Sequence, residues 1–357
     1  MTRQHLHAAL PLLAAGVLGA GLLLPFGGAV VAAAVLALLA AVVSAVHHAE
    51  VVAHRIGEPY GTLVLALAIT VIEVALVLSI MLAGGENAAT LARDTVYAAV
   101  MIICNGVVGV CLLVGGLHHR EQSFRIEGTG SGLAALAVLS VLVLVMPGLT
   151  TSAPGGSYTL WQLVFVAASS LALWLVFVFI QTVRHRDYFL PAARPDDETL
   201  HAEPPAARAA WASAILLVLA LVAVVGLAKL ISPAIEGVVD AAGAPKAVVG
   251  IVIAMIVLMP ETWAALRAAR ADRLQTSMNL AIGSALASIG LTVPVVVGAA
   301  IALDLPLTLG LLPKDIALLA LTFVVGAITL GSGRTNMMQG AVHLVVFAAF
   351  LVLTLAP

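Results

Sequence analysis

The chain has 357 residues, of which 62% are hydrophobic and 10% charged, with a mean hydropathy of +1.15 and a formal net charge of -2. That composition excludes an ordinary soluble domain, where charged residues make up about 25%, and Lys and Arg confined to short loops exclude a nucleic-acid partner. Apolar runs near 20 residues recur along the sequence, the length a helix needs to cross a hydrocarbon core about 30 Å thick, and the alternation of barrel strands is absent.

Eleven spans are predicted, at about 8–25, 28–46, 59–83, 95–117, 132–149, 159–183, 209–231, 246–266, 277–301, 314–331 and 337–356. The first, preceded by Arg3, has the outline of a signal peptide, but another apolar run follows it instead of a polar mature region, so it reads as a retained helix. Where the second span meets the membrane surface lie His47, His48, Glu50, His54 and Glu58. A metal site is one reading of this group, yet it lacks the H-E-x-x-H order of a zinc protease. A regulatory or proton-relay surface is preferred to it, and a merely solvated helix end is preferred to both.

The third span places Thr62, Ala66, Thr70 and Glu73 at i, i+4, i+8 and i+11, one small and polar stripe on a helix of Leu, Val and Ile. A carboxylate at bilayer depth costs at least about 2.5–3.5 kcal/mol, so it faces a polar interior. The fourth span carries Asn105 with Gly106 and Gly109, and also Cys104 and Cys111, which lie two turns apart on one helix and cannot bridge each other.

After the sixth span comes the longest polar segment, 184–208, with Pro191, Pro195, Pro204, Pro205 and the acids Asp196, Asp197, Glu198 and Glu203. It reads as a linker between two halves of five spans each. In the eighth span Gly250, Ala254 and Glu261 share a face, and Pro260 directly precedes the acid. Proline removes a backbone donor and leaves the carbonyl of Ile256, four residues earlier, without its usual partner. Freed carbonyls at membrane depth line cavities or coordinate cations. The ninth span sets Ser277, Ala281, Ser284 and Ser288 at i, i+4, i+7 and i+11, either a packing surface or a ligand stripe. His343, alone in the last span, reads as a packing histidine, and Asp304, Lys314 and Asp315 are given no role.

Eleven spans put the termini on opposite sides. Twelve Lys and Arg residues then fall on the side of the N-terminus, and Arg93, Lys229, Lys246 and Lys314 on the other, which places the N-terminus in the cytoplasm and the C-terminus outside. The expected organisation is an extra helix over 1–27, a first repeat over 28–183, the acidic cytoplasmic linker over 184–208 and a second repeat over 209–357. The two repeats enter the membrane from opposite sides. A short likeness supports the duplication: GTLVLALAITVIEVAL (61–76) and GIVIAMIVLMPETWAAL (250–266) each run from a glycine to a glutamate past mid-helix. Two carboxylates, an amide oxygen, hydroxyls and freed carbonyls form an all-oxygen set, which suits a hard cation such as Ca²⁺.

The segments GEPYGTLVLALAITVIEVAL (57–76), ICNGVVG (103–109), PETWAAL (260–266) and NLAIGSALASIGLTVPV (279–295) together resemble the calcium/cation antiporter superfamily, and within it the bacterial calcium/proton exchangers. The resemblance implies an all-α integral membrane protein of the bacterial inner membrane, with two inverted five-helix repeats after one extra helix. It implies exchange of cytoplasmic Ca²⁺ for protons by alternating access, with ions as substrates and no cofactor. Glu73 and Glu261 match the family's paired binding acids, and Asn105 and Ser284 fall where neighbouring polar ligands occur. Two departures bear on ion preference: Leu258, Met259 and Pro260 stand where the family often has Gly-Asn-Ala-Ala, and Ala287 stands where plant and fungal relatives carry glutamine. Related bacterial proteins also exchange Na⁺ or K⁺ for protons.

Overall fold

The computed structural model describes residues 3–24, 27–57, 60–83, 88–190, 205–241, 243, 245 and 247–356. Its helices are α1 (Arg3–Leu23), α2 (Gly28–Ile56), α3 (Tyr60–Ala83), α4 (Ala88–Met101), α5 (Val108–His119), α6 (Ile126–Ser140) and α7 (Met146–Leu149). They continue with α8 (Leu160–Phe179), α9 (Ala207–Ala241), α10 (Ala247–Arg270), α11 (Leu274–Leu303), α12 (Pro313–Gly331) and α13 (Met337–Leu355). Single π-helical segments, Ile102–Val107 and Val141–Val145, join α4 to α5 and α6 to α7, and a third, Ile180–Arg184, extends α8.

Among the described residues, eight helices are long and apolar enough to cross a membrane, or nine if the bent α10 counts as one span. Ala8–Leu23 and Thr70–Ser79 are shorter apolar stretches. The described residues are nearly all helical; the exception among them is a ribbon in which β1 (Glu121–Ser123) pairs antiparallel with β2 (Arg334–Asn336), Gln122 opposite Thr335. Sequence reading missed it because three-residue strands carry no periodicity of their own.

The chain divides into two units, Met1–Gly84 with Ala193–Ala244, and Gly85–Ala192 with Pro245–Pro357. In the first, α9 packs on α1, α2 and α3. Alanine makes this closeness feasible: Ala34, Leu38, Ala41, Ala45 and Ala49 form one buried face of α2, and Ala220, Ala223, Val224, Leu227 and Ile231 form one on α9. α2 runs ten residues beyond its predicted end. Nothing between 46 and 56 breaks a helix, and the stop is Gly57, whose φ of 82° suits only glycine and whose N–H bonds the Ala53 carbonyl at 2.9 Å.

In the second unit α11 is the central element, packed against α4, α6, α8 and α10, and it buries a run of side chains from Leu274 to Ala300. α13 lies on α5 with the two backbones almost touching. A Cβ on Gly340 would stand 2.3 Å from the Leu113 nitrogen, and one on Gly116 would stand 2.5 Å from the Met337 nitrogen. Such small-residue seams are how helices gain packing energy where lipid supplies no hydrophobic drive. The ribbon closes one end of this unit: Gln122 Nε2 donates to the Ala269 carbonyl and to Asp272 Oδ1, both at 2.9 Å, tying β1 to the turn between α10 and α11.

Candidate functional site

In the first unit the described part of the α3 stripe behaves as its spacing requires. Thr70, Glu73 and Val77 turn inward while Leu67 and Val71 are exposed, and Glu73 retains only 2% of its surface. The side chains of Thr62 and Ala66, which would extend the stripe, lie outside the described residues.

In the second unit α10 bends by 53° between Ala247–Met259 and Glu261–Arg270. Two local causes coincide there. Pro260 lacks the N–H that would bind the Ile256 carbonyl, and the Thr262 hydroxyl donates back to the Leu258 carbonyl at 2.7 Å, a bond that favours bending. Glu261 is the first residue past the bend and is half-buried. The Ser284 hydroxyl of α11 donates to its Oε2. The structure thus joins two of the sequence-predicted residues directly. The whole serine stripe of α11 is buried, and it continues one turn further at Thr292, a position that the same spacing would have found.

Asn105 lies in the π-helical segment and is completely buried. Its amide is held by side chains of α12 and α13: Nδ2 donates to Thr322 Oγ1 at 2.9 Å, and Oδ1 faces His343 Nδ1 at 3.3 Å. The other imidazole nitrogen, Nε2, meets Thr329 Oγ1 at 3.1 Å. His343 therefore belongs to a buried polar network, with both ring nitrogens partnered. Thr322 and Thr329 were missed by sequence reading, although two hydroxyls seven residues apart share a helix face.

The histidine group on α2 is split by the helix. His48 is buried with Nδ1 3.1 Å from Ser213 Oγ of α9, whereas Glu50 and His54 are exposed and His47 is half-buried. Glu58 lies outside the described residues. Among the described residues no three His, Cys, Asp or Glu side chains gather in a way that could hold a metal. At the start of α4, Arg93 pairs with Asp94 at 2.7 Å and donates to the Gly310 carbonyl at 3.1 Å, which makes this charge structural.

Comparison with known proteins bears on what such a helical array does. The family description "Sodium/calcium exchanger protein" matches residues 25–183 and 212–356. The protein y4hA of Sinorhizobium fredii, an ionic transporter by name, is 49% identical over 90% of this chain and 87% of its own. The sodium-potassium/proton antiporter ChaA of Escherichia coli is 38% identical over 89% of this chain and 86% of its own. Among solved structures, the H⁺/Ca²⁺ exchanger CAX superposes with a TM-score of 0.72 over 97% of this chain and 86% of its own, at 13% identity, a likeness of fold. The chain belongs to the sodium/calcium exchanger protein family, and is a membrane transporter of inorganic cations and protons and not an enzyme.

Proposed function

We propose that this protein is a secondary antiporter that moves a cytoplasmic cation outward against protons by alternating access, with both ions competing for Glu73 and Glu261. The observation that carries the reading is the Glu261 carboxylate, set just past a helix bend and bonded by the Ser284 hydroxyl. Glu73 with Thr70 is its counterpart from the first half, buried on the inward face of α3. The proposed coordinating set adds the Ile256 carbonyl and the Asn105 amide oxygen. One divalent cation, or protons neutralising both acids, fills the site. Bare carboxylates in a medium of low dielectric are costly, so the empty, unprotonated state is held back from switching sides, which couples the two fluxes.

The scaffold we infer crosses the membrane eleven times, as two inverted repeats over 28–183 and 209–357 after the extra helix. The family match on either side of the linker supports this reading. The excess of Lys and Arg on one side supports a cytoplasmic N-terminus, and bacterial relatives support the inner membrane. A regulatory or relay role for His47, His48, Glu50, His54 and Glu58 belongs to the same proposal.

The cargo we propose first is Ca²⁺, which a pair of carboxylates with neutral oxygens suits. The second reading, Na⁺ or K⁺, is favoured by the 38% identity to the E. coli antiporter. Proteoliposomes with an imposed pH gradient separate the two when Ca²⁺, Na⁺ and K⁺ are offered singly. Glu73→Gln and Glu261→Gln are each expected to abolish transport of whichever cation the parent carries, and near-normal transport by either variant refutes the paired-carboxylate mechanism.

A further inference from the structure

The network around His343 joins three elements of the second unit: the π-helical segment through Asn105, α12 through Thr322 and Thr329, and α13 through His343 itself. Every member is buried. An imidazole and an amide inside a membrane helix cost free energy unless satisfied, and packing alone would be served by leucine.

The bonding has a direction. An amide Oδ1 only accepts, so His343 Nδ1 carries the proton that it presents to Asn105, and Nε2 accepts from the Thr329 hydroxyl. Asn105 Nδ2 donates to Thr322, whose hydroxyl donates in turn to the Leu318 carbonyl at 2.8 Å. A reversed amide would require the other imidazole tautomer and a turned Thr322 hydroxyl, so all three groups would have to change together. His343 and Thr322 together therefore decide where the amide oxygen of Asn105 lies.

The position is also mechanically sensitive. Asn105 lies in a π-turn, where the Val108 N–H reaches the carbonyls of both Ile103 and Asn105, and this widened turn packs against α10 and α11, the helices of Glu261 and Ser284. π-turns are concentrated at functional sites. On the other side the seam is tight: a Cβ on Gly109 would come within 3.1 Å of the His343 Cβ.

We propose that His343 is a positioning residue for cation binding, which acts through Asn105 to hold the amide oxygen and the π-turn in register with the Glu261–Ser284 pair. The inference rests on the cation-site reading above. Its test uses the full chain in proteoliposomes, with initial rates of pH-gradient-driven Ca²⁺ and Na⁺ transport measured separately to give KM and Vmax. His343→Leu, which keeps the bulk and loses both bonds, is expected to raise the cation KM at least about five-fold. His343→Gln, which retains a donor and an acceptor, is expected to return KM to within about two-fold of the parent. Thr322→Val acts on the same amide, so combining it with His343→Leu should add less than the product of the two single effects.

An unchanged KM in His343→Leu, or equal damage in the Leu and Gln variants, overturns the proposal and leaves His343 a packing residue. Should His343→Leu fail to fold, the nearly isosteric Thr322→Val decides: a parental KM there is equally fatal. The site reading fails separately, through transport by Glu261→Gln, whatever the His343 variants do.

Discussion

The seam between α5 and α13 gives the sharpest mechanical prediction, through Gly340→Ala. The new methyl would stand 2.3 Å from the Leu113 nitrogen, 2.7 Å from its Cα and 2.8 Å from the Gly109 carbonyl oxygen, all backbone atoms that no rotamer change can move. Ordinary contact needs about 3.5 Å or more, so the helices must part by roughly an ångström. Overpacking of this kind costs about 1–3 kcal/mol. The same separation stretches the His343–Asn105 bond, already 3.3 Å, and adds about 1 kcal/mol for its loss. The control is Gly298→Ala on the exposed face of α11, where a Cβ meets nothing within 4 Å and where the gain in helix propensity is about 0.5–1 kcal/mol. Thermal unfolding in one detergent, followed by loss of monodispersity, should place Gly340→Ala clearly below the parent and Gly298→Ala at or above it. A Gly340→Ala protein as stable as the control refutes the close-packed seam.

Ser284→Ala removes a hydroxyl bonded to a carboxylate, an interaction worth about 1.5–3 kcal/mol, and should raise the cation KM about ten-fold or more in vesicle transport. An unchanged KM sinks its role as a ligand or support. Pro260→Ala restores a backbone donor and should reduce the 53° bend of α10, with a more heat-stable protein that transports more slowly. A parental rate at higher stability would mean that the bend serves packing alone. Tyr158, between two spans, donates to the Leu142 carbonyl at 2.6 Å, and burial pushes its phenol above the ordinary 10.0. A raised pKa makes this contribution complete below pH 10.0 and lost as pH rises through the folded value, so the parent should lose stability above about pH 10 more steeply than Tyr158→Phe. Parallel alkaline unfolding curves would contradict this.

The sequence by itself fixed the solvent and the candidates. Membrane character follows from composition, because each apolar run reports its own transfer free energy without reference to any other part of the chain. Glu73 and Glu261 stood out for the same local reason: acids in apolar helices are expensive wherever they end up. The 3.6-residue period placed Thr70 with Glu73 on one face and drew out the serines of α11, and Pro260 announced the bend in α10. Tertiary structure alone decided who meets whom. Ser284 reaches Glu261 across 23 positions, His48 reaches Ser213 across 165, and His343 reaches Asn105 across 238. Hydropathy cannot encode such pairings, since a polar side chain costs the same to bury whichever partner later satisfies it. The partner is selected by the packing of helices far apart in sequence, and that packing joined His343 and Asn105 in one network.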